Sequence, residues 1–162
     1  MIWLRRKSKG FSLLETLITV TIVSTLTTMT VPQLMNAMKS YRLASAVAAA
    51  SGAIQSTHFL AIMRGYPYQL TFDANSGTYQ VASKPPGATG FVPVPPGSPT
   101  PIAGSHEETI NQTTVMQFNS NGTMTSGLAG NAVFTITNGV TTEQITVSGV
   151  GYVSVIVLPV TP

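Results

Sequence analysis

The chain has no cysteine, which excludes disulfides and thiolate metal sites. Charge is scarce as well. Asp, Glu, Lys and Arg make up 8% of the residues, against roughly a quarter in an ordinary soluble domain. Convergent chemistry is missing too. The two histidines are His58, on a helical stretch, and His106, beside Glu107 and Glu108 with no later ligand to complete a metal set. There is no phosphate-cradling glycine loop, no Gly-x-Ser-x-Gly elbow and no paired carboxylates. The expectation is a protein that is not an enzyme, with no cofactor and no metal. Beyond Arg64 the only basic residue is Lys84, too little to neutralise a nucleic-acid backbone, so nucleic acid is not an expected partner.

What the chain does have is one long apolar run. Phe11 to Val31 is 21 residues with a single charge, Glu15. At about 1.5 Å per residue a helix of that length covers roughly 30 Å, the thickness of a bilayer's hydrocarbon core. Arg5, Arg6, Lys7 and Lys9 precede it, which places the N-terminus in the cytoplasm and the remainder outside the inner membrane. The formal charge of +3 belongs to this leader. After it, Lys39, Arg42, Arg64 and Lys84 stand against Glu15, Asp73, Glu107, Glu108 and Glu143, a side-chain sum of −1. A cleaved secretory signal is the rival reading. Its apolar core would be about 7–15 residues, and the small residues it needs for cleavage appear only around Ala44, Ala46 and Ala48.

Glu15 is the anomaly. A carboxylate at that depth in lipid costs a few kcal/mol or more, and an anchor gains nothing from it. A helix that assembles gains if a cation on a neighbour meets the carboxylate, and a free amine at Phe11 is such a cation if the chain is cut after Gly10. The stretch Lys9-Gly10-Phe11-Ser12-Leu13-Leu14-Glu15-Thr16-Leu17 resembles the signal of type IV prepilins and type II secretion pseudopilins. The resemblance implies that a membrane peptidase removes residues 1–10, that the same enzyme N-methylates Phe11, and that Glu15 pairs with an adjacent subunit's N-terminus. Pro32 matches a proline common in these helices and is expected to bend this one. Seven threonines (Thr16, Thr19, Thr21, Thr25, Thr27, Thr28 and Thr30) depart from the Ala, Ile and Leu usual in such stems. Threonine is tolerated in lipid because its hydroxyl can bond a carbonyl one turn back.

Residues 33–64 continue the helical period as the outer half of a stem, ended by Gly65 and Pro67. The small residues from Ala44 to Ala53 allow close approach of another backbone, here expected to be the protein's own sheet. Residues 65–162 read as β-rich. Tyr68–Phe72 and Thr78–Val81 form a hairpin around the turn Asp73–Gly77, whose Asp-x-Asn spacing is turn chemistry and lacks the further oxygens of a calcium loop. Residues 83–106 hold seven of the eleven prolines and are expected to be a loop that forms no ladder, tethered by Phe91, Val92 and Val94. Strands follow at 115–118, 132–137, 143–147 and 152–157, with turns at Asn119–Gly122 and Asn138-Gly139. The sequons Asn111-Gln112-Thr113 and Asn121-Gly122-Thr123 read as loop polarity and a turn. The fold class is α+β: a long N-terminal helix packed on an antiparallel sheet domain.

The segments Met116–Gly122, Val133–Ile136 and Ile145–Val153 resemble the H-type minor pseudopilins and FimT-like minor pilins, although Tyr152 stands where members often carry arginine. The expected function is a structural minor pseudopilin or minor pilin in a periplasm-spanning filament for type II secretion. Its expected partners are the prepilin peptidase/methyltransferase, other pilin-like subunits, inner-membrane lipid and secreted cargo. The alternatives are a type IV pilus subunit that binds DNA in competence and a membrane-anchored domain of other activity.

Overall fold

The computed structural model describes residues 11–94, 97–102, 108–126 and 130–159. Among the described residues one helix, α1, runs from Leu13 to Arg64, and ten strands follow. The chain divides within α1 into two compact units, Met1–Met38 and Lys39–Pro162.

In the first unit every described side chain from Leu13 to Met38 is exposed. All seven threonines bond back along the helix. Thr21, Thr25, Thr27 and Thr30 each donate at 2.8 Å to the carbonyl four residues earlier. Thr16 bonds Ser12, Thr19 bonds Thr16, and Thr28 reaches both Ser24 and Thr25. Each hydroxyl is thus satisfied without water, and the surface left outward is methyl groups. The helix continues through Pro32, which has no N–H to offer the Thr28 carbonyl one turn back.

The second unit contains the outer part of α1 and two antiparallel sheets. The larger has the order β3-β2-β1-β6-β7 with β4 also on β2, and the smaller the order β10-β9-β8-β5. β1 (Tyr68–Asp73) and β2 (Thr78–Ser83) form the expected hairpin, and β6 (Thr114–Phe118) lies on β1's other side. β8 (Ala132–Thr137), β9 (Thr142–Val147) and β10 (Val153–Leu158) form a meander, with β5 (Thr109–Ile110) beside β8 and β7 (Met124–Ser126) beside β6.

Helical spacing decides what faces the sheets. Leu43, Ala46, Val47, Ala50, Ala53, Ile54, Thr57 and Ala61 are buried at steps of three and four. The small-residue run therefore meets its own domain on one face only, since Ala44, Ala48, Ala49 and Gly52 are exposed. Strand alternation supplies the other wall: Leu70, Phe72, Met116 and Phe118 from the larger sheet, and Phe134, Ile136, Ile145 and Val147 from the smaller. Phe72 and Phe134 join the two sheets with ring centroids 4.8 Å apart. Truncating either ring to alanine is worth about 3–5 kcal/mol. Gly65 ends α1 with φ 73°, and its N–H closes on the Ala61 carbonyl.

The proline-rich segment corrects one expectation. It does pair with the sheet, through β3 (Val92–Pro93) and β4 (Thr100–Pro101) on the outer edge of β2. The donors are not prolines: the Val94 N–H bonds the Val81 carbonyl and the Ile102 N–H bonds that of Gly77. Proline is compatible with an edge where its missing donor faces away from the ladder. Of the expected tethers Val94 packs against the core and Val92 is exposed, and Ile102 is a further, buried anchor.

Candidate functional site

The stem carries most of the residues singled out by the sequence. Gly10 lies outside the described residues, as do His106 and Glu107. Phe11 is 78% exposed, two residues before α1. Glu15 lies in the helix's first turn, where the partial positive charge of unpaired N–H groups favours a carboxylate. It is exposed and forms no hydrogen bond or ion pair among the described residues. Between Glu15 and Lys39 no residue carries a charge. Among the described residues its own chain offers this carboxylate no partner.

In the second unit, a corner joins helix and both sheets. The His58 ring packs on Phe118 with centroids 5.4 Å apart. Its Nε2–H donates to the Gly122 carbonyl at 3.0 Å, since a carbonyl only accepts. Gly151, at φ 77°, lies under the same ring. Nearby the Met124 N–H donates to the Gly149 carbonyl at 2.7 Å, which ties the β6–β7 side to the turn between β9 and β10. His58 is thus held by backbone and an aromatic ring, an environment that a metal ligand set does not provide. Tyr152, directly after Gly151, is 71% exposed.

A second tie lies at the other end of the smaller sheet. The Asn138 side-chain oxygen accepts from the N–H groups of Val140 and Thr141, and its amide donates to the Lys39 carbonyl at 3.1 Å. Sequence reasoning took Asn138-Gly139 as a hairpin turn and missed this bond to the stem.

At the Asp73 turn the carboxylate accepts from the Asn75 N–H at 2.9 Å and the Ser76 hydroxyl at 2.8 Å. These bonds, the Asn75 one first, hold its carboxyl below the usual aspartate range. The loop's own groups use its oxygens, as turn chemistry requires. Among the described residues no three metal-ligating side chains come together.

Residues 5–31 match the prokaryotic N-terminal methylation motif. No curated protein and no solved structure matches the chain. The motif runs into an apolar helix long enough, by length and composition, to cross a bilayer, so the N-terminal segment is prepilin-like and consistent with membrane anchoring. The motif supports a type IV pilin-like reading of this N-terminal segment, with processing by a prepilin peptidase as what such a motif implies.

Proposed function

We propose that this chain is a minor pseudopilin of a type II secretion filament, most like the H-type subunit. The observation that carries this reading is the bare stem. A 52-residue helix exposes an apolar surface over its first half, with one unpaired carboxylate near its start. In lipid that surface is covered, but the carboxylate is not satisfied. Side-by-side stems cover the surface and bring a neighbour's Phe11 amine, freed by cleavage after Gly10, to Glu15. Residues 1–10 are the leader, 11–31 the membrane span, 32–64 the outer stem and 65–162 the extracytoplasmic domain. The H-type assignment draws on the segments Met116–Gly122, Val133–Ile136 and Ile145–Val153, with Tyr152 as a departure from the pattern. The β domain contacts partner subunits or secreted cargo. Its single basic residue beyond Arg64, Lys84, gives little support to a DNA-binding competence role.

The test is deletion of the gene and complementation in its native cell, scoring secretion of folded proteins and surface pili separately. Loss of secretion with normal pili is the expected result. Normal secretion with lost pili or lost DNA uptake would assign the chain to a pilus instead.

A further inference from the structure

We infer that the end of the smaller sheet nearest Lys39 is a lipid-docking surface, on which the β domain of the membrane-stored subunit rests. The inference rests on the first half of α1 spanning the membrane.

The chain itself sets the level. Residues 16–38 carry no charge, and at about 1.5 Å per residue they span roughly 35 Å, a little more than the hydrocarbon core. Lys39 is therefore the first charged residue beyond the 11–31 span, about 12 Å of helix past Val31 and near the outer headgroups. Tyr41, 78% exposed, and Arg42 follow on the same turn of helix. Aromatic and cationic side chains of this kind suit the headgroup layer, where a ring sits half in lipid and a cation meets phosphate.

The sheet brings apolar surface to the same level. The 3.1 Å bond from Asn138 to the Lys39 carbonyl fixes the turn between β8 and β9 at this height on the helix. Val140 stands at the turn's tip, 55% exposed. In register, Thr137 pairs with Thr142 and Thr142 pairs with Leu158, so the last residues of β10 share this end. Just before that end β10 exposes Val155 (42%), Ile156 (53%) and Val157 (61%), while Leu158 at the end itself is half-buried. A soluble edge strand is ordinarily blunted with charge, and this one carries no charged side chain over Val153–Leu158. In register Val157 pairs with Glu143, the acidic side chain on β9. The complement of valines rimmed by cations is an anionic phospholipid surface. Docking of this kind would hold the domain down until the stem is extracted, and the contact must break on assembly.

The absence of cysteine makes the test direct, because one introduced thiol is unique. The full chain, as Val140→Cys, Val157→Cys or Val150→Cys, is spin-labelled and reconstituted in phosphatidylcholine vesicles with or without phosphatidylglycerol. Val150 is 70% exposed in the turn at the opposite end of the sheet and serves as the control. Collision with oxygen, which favours lipid, is compared with collision with a water-soluble nickel complex. Labels at 140 and 157 are expected to shift toward oxygen in the anionic vesicles. The shift should be lost on adding Lys39→Gln and Arg42→Gln or high salt, with the label at 150 in water throughout. The inference is overturned if labels at 140 and 157 match that at 150 in every vesicle while the protein floats with the lipid. Protection that grows with protein-to-lipid ratio overturns it too, since it assigns the surface to a second copy. Failure of the chain to float with vesicles would instead remove the membrane-stem reading beneath it.

Discussion

The imidazole of His58 covers Gly151 so closely that a Cβ there would come within 2.6 Å of the ring's Cε1 and 2.7 Å of Nδ1. Gly151 also has φ 77°, where a side chain costs about 1–2 kcal/mol. An alanine must therefore bear the backbone strain and push the ring off the Gly122 carbonyl. Gly151→Ala is expected to lower stability by about 2–3 kcal/mol, the lost hydrogen bond adding about 1 to the strain. In a His58→Ala background the same substitution should cost only the strain. Denaturant unfolding of the four combinations measures the difference. Equal cost in both backgrounds would mean that the ring does not constrain Gly151.

Asp73 gives the fold a defined response to acid. Its carboxyl is held below the usual aspartate value by the Asn75 N–H and the Ser76 hydroxyl. A depressed folded-state pKa contributes stability that is present above the unfolded value and is lost as pH falls through the folded one. Asp73→Asn is thus expected to be less stable than the native chain at neutral pH, with the gap closing below about pH 4. Melting temperature against pH checks this. A gap that stays constant into acid would show that the charge is not what the turn uses.

Processing is expected to need a small residue at 10. Gly10→Val should insert and accumulate with its leader attached, while the native chain yields an N-methylated Phe11. Intact-mass measurement separates the two. A Gly10→Val protein that matures with the normal mass loss would move the cut site.

Legibility in the sequence was uneven, for physical reasons. The stem was plain because an uncharged run, its helical period and the Gly65 stop all act locally. Hairpins at Asp73–Gly77 and Asn138-Gly139 were plain because turn chemistry is local as well. The division of the strands into two sheets was not, since it depends on which edges meet across the core, as Phe72 meets Phe134. The short strands β3, β4, β5 and β7 were missed because two or three residues carry no period, and because prolines beside Val92 and Thr100 mask an edge pairing. The ties His58–Gly122 and Asn138–Lys39 span 64 and 99 residues of chain. Their only trace in the sequence is a glycine or asparagine in a turn, which local geometry already explains. Glu15 stood out because a lone carboxylate in an apolar helix conflicts with its surroundings.

The central claim is that Glu15 is neutralised by an adjacent subunit, and incorporation of Glu15→Ala and Glu15→Gln into isolated filaments tests it most directly. Both variants are expected to insert, lose the leader and be methylated, yet be missing from filaments quantified by mass spectrometry. Glutamine keeps the shape and removes only the charge, so its exclusion would point to the ion pair. Incorporation of both at the native level would contradict the role assigned to this carboxylate.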